Sequence, residues 1–318
     1  MRPTALAGCV MAMAFVIPIQ GHGPVDPAAF SAPALSSDTT AGLTMRPVMT
    51  RKYTMSGKVR PLLFWIGKDD IGIARIVWRR SESGAFGYEL LVGTDPAKAP
   101  RSLNRWGYIA EDVDGADGSL LALMTGADEG SYNEAASNAA HVPGKGDFRA
   151  IHAKVLRGAA TWQTARVSTP SALTVHDVDA ALDRVLRETS AATSRGMSLP
   201  SGARPGFLTA VAELLDSAVR GVNQKLDRRA LLRPRVQYVF GQGAYELQLR
   251  DVEPLHADYE GRSVPVVRTA FEIRTLANDA RTRFEVTSGT EGDLAGVPVD
   301  ISWQPRWWLR VALRLDAK

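Results

Sequence analysis

The sequence is almost without cysteine. Among its 318 residues Cys9 is the single one, and it lies near the amino terminus. One thiol cannot form a disulfide within the chain, and the common zinc patterns need cysteine pairs or a His-Glu-x-x-His run, which is also missing. Stability must therefore come from packing rather than from cross-links, and no cofactor or metal is predicted.

Several motifs that identify enzymes are missing as well. The sequence contains no Gly-x-Ser-x-Gly, no phosphate-binding loop that ends in Lys-Ser/Thr, and no dinucleotide fingerprint between a strand and a helix. Its five histidines are isolated from one another. The loop that begins at Asp112 lacks the later oxygen ligands of a calcium loop, including the bidentate glutamate. These absences favour a non-catalytic protein over an enzyme.

Long apolar runs are confined to the amino terminus. After Arg2, an uncharged apolar run extends from Ala5 to about Ile19. This pattern is typical of a secretory signal peptide, predicted as residues 1–23, and it places the mature chain in the periplasm or outside the cell. Leu6 to Cys9 also match the lipobox of lipoproteins, but the apolar run continues beyond Cys9, so ordinary cleavage is preferred to lipid anchoring. No later run is long enough for a transmembrane helix.

The rest of the composition is that of a globular protein. Apolar residues make up 45% of the chain and charged residues 23%, and the formal net charge is +4. Such a chain can bury a sizeable core, and its mild basic excess favours contact with an anionic envelope surface. Nucleic acid is not expected as a partner, because an exported chain rarely meets it and no aromatic-basic motif of a nucleic-acid module is present.

Five regions follow one another along the chain. They are a signal peptide (1–23), a flexible linker rich in Pro, Ala, Ser and Thr (24–50), an N-terminal β-rich part (51–170), a two-helix segment (171–233) and a C-terminal antiparallel β-meander (234–318). Short apolar runs separated by turn dipeptides such as Asp114-Gly115 indicate the antiparallel strands of the first β-rich part. Within it, Val59–Ile66 has apolar residues on both sides and predicts a strand covered on both faces.

The helices and the meander have the clearest periodicity. Thr174 and Asp177 form a capping pair before a first helix, and an apolar stripe from Phe207 to Leu226 predicts a second. After Arg235, apolar and polar residues alternate along about six strands. The last strand places the following side chains on one face: Trp307, Leu309, Val311, Leu313 and Leu315.

The predicted fold is therefore α+β and dominated by β structure. Antiparallel sheets, barrel-like or sandwich-like, carry two covering helices between the N-terminal and C-terminal strand-rich parts. One joined sheet and two separate domains both fit the pattern. An outer-membrane barrel is a minor alternative, because its outward faces would need an uncharged band.

One block of the sequence resembles known proteins. It runs from Ile66-Gly67-Lys68-Asp69 through Gly87–Pro96 to Asn104–Glu111. This block is similar to a family of uncharacterised exported bacterial proteins. The resemblance implies export but brings no activity, cofactor or site residue with it.

Two groups of residues are candidates for a functional site. On a strand, Trp106 and Tyr108 would share one face with Asp112, whereas Arg105 would share the other with Glu111. Arg105, Trp106 and Tyr108 are predicted to bind a ligand such as a sugar or cation. Glu111 and Asp112, with His152, are the candidate catalytic acid–base groups. A sheet with cross-strand ion pairs explains the same residues without a ligand.

The second group is a basic cluster where the second helix ends. It consists of Lys225, Arg228, Arg229, Arg233 and Arg235. Cations at a helix carboxyl end interact favourably with its dipole, and they could also meet an anionic envelope surface. The leading hypothesis is an exported, non-catalytic envelope or periplasmic protein that binds an apolar or amphipathic ligand, between sheet and helices, or a partner. The alternative is an envelope hydrolase that uses carboxylate and histidine groups.

Overall fold

Strands dominate the part of the chain that the computed structural model describes. The described residues are 45–60, 64–115, 117–125, 146–156, 158–169, 173–182, 185, 194–198, 202–240, 243–306 and 309–317. The predicted signal peptide, Cys9, and Trp307 and Trp308 lie outside them. The strands are β1 (Arg46–Val59), β2 (Ile66–Arg80), β3 (Phe86–Thr94), β4 (Trp106–Asp114), β5 (Asp117–Thr125), β6 (Gly146–Leu156), β7 (Ala159–Thr169), β8 (Ser194–Ser198), β9 (Arg235–Phe240), β10 (Gly243–Tyr259), β11 (Arg262–Thr275), β12 (Arg281–Gly289), β13 (Pro298–Arg306) and β14 (Leu309–Leu315).

All fourteen strands belong to one antiparallel sheet. Its order is β8-β7-β6-β5-β4-β3-β2-β1-β14-β13-β12-β11-β10-β9, so nearly every strand pairs with its neighbour in sequence. One pair joins strands that are far apart in sequence: β1 also pairs with β14, from Tyr53↔Leu315 to Val59↔Leu309. This pairing joins the N-terminal and C-terminal strands into one sheet. The sheet curls into a nearly closed barrel, which confirms the β-dominant antiparallel prediction.

The two ends of the sheet meet through side chains. Val155 and Ala160, at the β6–β7 hairpin, form a buried cluster with Val239 of β9, and Ala244 of β10 packs against it. The segment before the long helix also reaches β9, because the Arg204 backbone makes hydrogen bonds with Gln237 and Val239. The gap in the nearly closed barrel is thus bridged by packing and by one short stretch of backbone pairing.

A helix occupies part of the barrel interior. Helix α1 (Phe207–Asn223) buries Ala210, Leu214 and Ala218, and the short α2 (Arg228–Leu231) follows it. The α1 face packs in one cluster with Ile109 and Leu120 from the first half of the sheet and with strand residues of the second half, including Tyr238, Leu247 and Phe271. A second interior cluster, around Tyr53, Trp303 and Val311, consists almost entirely of strand residues and contains no residue of α1. Helix α1 therefore confirms the second predicted helix.

The first predicted helix lies on the other side of the sheet. It begins with a 3-10 turn, Val175–Asp177, capped reciprocally by Thr174 and Asp177, as the capping pair predicts. Residues 178–182 continue as helix. Val175, Val178 and Val185 pack over the outward side chains of β3 to β7. No helix in the described part of the chain is long and apolar enough to span a membrane.

Three local predictions differ from the structure. β1 begins at Arg46, because it pairs with β2 from that residue onward, so residues 46–50 are strand and not linker. The run Val59–Ile66 is not one strand, because Val59 at the end of β1 pairs antiparallel with Ile66 at the start of β2; residues 61–63 lie outside the described part. β8 lies in a stretch with no clear alternation, and the sequence did not predict it.

Candidate functional site

Charged residues cover the face of β9–β12 that points away from the interior. Residues that pair across neighbouring antiparallel strands lie on the same face. One cross-strand row is Arg235, Gln248, Glu272 and Arg283, and the next is Gln237, Glu246, Arg274 and Arg281. The alternate positions, such as Leu247 and Phe271, are in the interior core.

These rows border a groove of about 250 Å³. We call it the arginine groove, and it is lined by Arg235, Glu246, Gln248, Arg250, Arg274 and Arg281. A second depression of about 400 Å³ shares Arg235 and Glu246 and adds the Arg204–Glu213 ion pair. The two depressions together make a continuous polar surface with arginine as its main lining residue.

Glu272 is the buried centre of this surface. Its side chain has no solvent exposure, and the Arg283 Nε donates a hydrogen bond of 2.8 Å to one carboxylate oxygen. The Gln248 Nε2 donates another of 2.8 Å to the second oxygen. Arg281 and Arg250 lie 3.7 and 4.0 Å away. Burial raises the pKa of Glu272, but the hydrogen bonds and the arginine charges outweigh burial, so the pKa lies below its ordinary value.

Guanidinium groups outnumber carboxylates here. Glu246 is shared by Arg274 at 3.2 Å and Arg235 at 3.8 Å. Asp279 is likewise shared by Arg274 and Arg281. With Glu272, three carboxylates thus face five arginines (235, 250, 274, 281 and 283). Because a guanidinium has five N–H donors in a planar fork, donors and positive charge are left over to bind an anion.

Glu111 does not lie in a cleft but is buried at the start of α1. Its carboxylate accepts 2.8 Å hydrogen bonds from the backbone N–H of Leu208, the backbone N–H of Thr209 and the Thr209 hydroxyl. The approach is so close that a Cβ on Gly206 would lie 2.2 Å from Glu111 Cδ. Burial raises the pKa of Glu111, and the hydrogen bonds from Leu208 and Thr209 offset part of that shift. Its role is to cap a helix that has no side-chain N-cap of its own.

The predicted acid–base group is therefore not assembled. Glu111 pairs with Leu120 on β5, whereas His152 pairs with the next residue, Leu121. Successive residues of a strand point to opposite faces, so the Glu111 and His152 side chains lie on opposite sides of the sheet. Asp112 shares the outward face but forms an ion pair of 2.7 Å with Arg79. Burial raises the pKa of Asp112 and lowers that of His152.

The predicted stacking residues are covered. Trp106 has no exposed surface, and its Nε1 donates a hydrogen bond of 2.9 Å to the Leu173 carbonyl. Tyr108 is 5% exposed and hydrogen-bonds Glu89. The outer helical residues from Val175 pack in the same cluster, so neither ring offers a free face to a sugar or cation. Arg105 is half-buried, and burial lowers its pKa.

The predicted basic cluster is exposed, and one of its members lines the arginine groove. Lys225, Arg229 and Arg233 are at the surface, and Arg228 pairs with Asp251 at 3.0 Å. Arg235 alone of the five lines the groove. The other groove arginines belong to β10, β11 and β12. Their outward positions follow from the alternation, but their convergence depends on the strand register.

A metal site is not apparent in the described part of the chain. No group of three or more His, Cys, Asp or Glu side chains there could hold a metal ion.

Comparisons with known proteins give a structural likeness without a function. No family model matches the sequence, and no curated protein matches it either. Among solved structures, the chain is similar to a beta-barrel-like protein of a domain of unknown function, DUF1849, from Brucella abortus. The TM-score is 0.44 and the sequence identity 8%, over 84% of this chain and 96% of that chain. No ligand or reaction follows from this likeness.

Proposed function

We propose that the protein is an exported, non-catalytic β-barrel-like component of the bacterial envelope that binds a phosphate-bearing or similarly anionic molecule in the arginine groove. The observation that carries this proposal is the excess of arginines over carboxylates around a buried Glu272. Arginine forks match the oxygen pairs of phosphate and form charge-assisted hydrogen bonds with it. The signal-like amino terminus supports export.

The character of the ligand follows from what fills the interior. Buried side chains of α1 pack directly against both halves of the sheet. Both depressions on the surface are lined mainly by charged and amide side chains. An amphipathic ligand would therefore be held through its anionic end, which narrows the hypothesis of an apolar or amphipathic ligand. The hydrolase alternative has no support, because Glu111 and His152 do not share a face of the sheet.

Calorimetric titration with inorganic pyrophosphate tests the proposal. The double variant Arg274→Gln with Arg281→Gln should bind roughly tenfold more weakly than the unmodified protein, because two charge-assisted contacts are lost. Arg250→Gln should bind more weakly as well, while leaving the hydrogen bonds of Glu272 in place. Arg262→Gln, an exposed arginine paired with Glu260 outside the groove, is the matched control.

Thermal unfolding separates a loss of binding from a loss of fold. Arg250→Gln should keep the melting temperature of the unmodified protein. Equal affinity in all of these variants, or no measurable heat of binding in the unmodified protein, would contradict the proposal.

A further inference from the structure

The described residues at the start of β2 and just before it form an exposed apolar patch. Phe64, Trp65 and Ile66, here called the hairpin tip, are 61%, 39% and 52% exposed. Large apolar side chains elsewhere in the described strands are mostly buried in the core clusters. Three consecutive exposed ones at the start of a paired strand indicate contact with something outside the chain.

The hairpin tip extends beyond the packed part of the barrel. Between Met55 and Gly57 the β1–β2 register shifts, because β2 contains additional residues opposite that step. Asp70, within this irregularity, has a positive φ of 53°. From Ile66 to Asp70 every residue is exposed. The tip is thus held by strand pairing but is not covered by the core.

Cations surround the hairpin tip. Lys58 lies beside Arg310 on the neighbouring strand β14, and both are exposed, as is Lys68 on β2. Asp70 is already paired with Lys98 at 2.9 Å, and Arg310 interacts with the Asp300 carboxylate. Asp69 therefore stands against Lys58 and Lys68, so the immediate surroundings of the tip carry a net positive charge.

We infer that the hairpin tip inserts into the headgroup region of an anionic lipid bilayer, with Lys58, Lys68 and Arg310 on the lipid phosphates. Tryptophan favours the boundary between water and hydrocarbon, and cations beside an apolar insertion add attraction to anionic lipids. Three side chains on a narrow hairpin are too small a patch for a stable protein–protein interface, which needs about 800 Å² from each partner. This inference is independent of the arginine groove.

A fluorescent label at the tip tests the inference. In the full chain with Cys9→Ser, Ile66→Cys provides a single thiol for an environment-sensitive dye. Vesicles of phosphatidylcholine mixed with phosphatidylglycerol should shift its emission to the blue, and a lipid-borne quencher should quench it. The amino-terminal apolar run can itself enter vesicles, and total vesicle binding would not distinguish it from the tip. The emission of the dye is used instead, because it reports only the surroundings of residue 66.

The matched control uses the other end of the β1–β2 strand pair. Val48 on β1 is 63% exposed, and a label at Val48→Cys should keep its emission with the same vesicles. Vesicles of phosphatidylcholine alone should give a much smaller response at residue 66. Adding Lys58→Glu to the tip-labelled protein should weaken the response to anionic vesicles roughly fivefold, whereas Arg46→Glu should not.

Several results would overturn the inference. They are an unchanged emission at residue 66, an equal change at residue 48, or an equal response to neutral vesicles. A blue shift that grows with protein concentration in the absence of lipid would identify a second copy of the chain as the occupant instead.

Discussion

Glu111 connects two distant parts of the sequence through one buried carboxylate. It accepts three hydrogen bonds from Leu208 and Thr209, which are 97 and 98 residues further along the chain. The first N–H groups of a helix have no partner within the helix, and at this buried site water cannot replace the carboxylate. The residue therefore attaches α1 to β4.

Removal of this carboxylate should be costly. Glu111→Ala leaves three donors unsatisfied in the core, so we expect a loss of about 3 kcal/mol or more in the free energy of unfolding. Urea unfolding followed by circular dichroism measures the loss. Glu285→Ala, on the exposed side of β12, is the control and should stay within about 0.5 kcal/mol. A similarly small effect at Glu111 would show that the cap contributes little.

Glu272 should make stability depend on pH. Its pKa in the folded protein is below the ordinary 4.5, because hydrogen bonds and arginine charges outweigh burial. A lowered folded pKa contributes stability above the unfolded pKa, and this contribution is lost as the pH falls through the folded value. The stability advantage of the unmodified protein over Glu272→Gln should therefore be present at neutral pH and shrink as the pH falls below about 4.5. An advantage that is constant or grows on acidification would contradict this sign.

At the scale of elements, α1 is held by both halves of the sheet. Leu214 is fully buried in the cluster that contains residues of β4 to β7 and of β9 to β12. Leu214→Ala should lower the free energy of unfolding by about 3 kcal/mol, since it removes buried methyl groups and leaves a cavity. Leu226 lies just after the helix and is 46% exposed, so Leu226→Ala should change the free energy of unfolding little. Equal, small losses in urea unfolding would show that the interior around α1 is loosely packed.

Elements with a strong local signal could be predicted from the sequence. The strands after Arg235 and the stripe of α1 follow from spacing alone, because one buried face imposes a period of two or 3.6. The start of β1, the whole of β8 and the hairpin tip could not be predicted in this way. Pairing with the neighbouring strands β2 and β7 determines the first two. In Val59–Ile66, the apolar residues fit a covered strand as well as they fit the exposed Phe64, Trp65 and Ile66.

At the scale of the molecule, the joining of the two halves of the sheet through β1 and β14 is not visible in the sequence. Tyr53 and Leu315 pair although they lie near opposite ends of the chain. The arginine groove depends on the same non-local information, because Arg235, Arg250, Arg274 and Arg281 come from four strands. The sequence did indicate that Trp106 and Tyr108 share a face, but not that the outer helical residues cover it.

The most direct test of the whole account follows the arginine side chains during ligand binding. NMR resonances of the arginine Nε–Hε groups would be recorded as inorganic pyrophosphate is added. We expect the Nε–Hε resonances of the groove arginines, Arg235, Arg250, Arg274 and Arg281, to change chemical shift together and to reach saturation. The resonances of Arg262 Nε–Hε and of the Leu214 backbone amide should keep their chemical shifts. Small, equal, non-saturating shifts at all arginines, or changes confined to α1, would contradict a binding site on the outer face of the barrel.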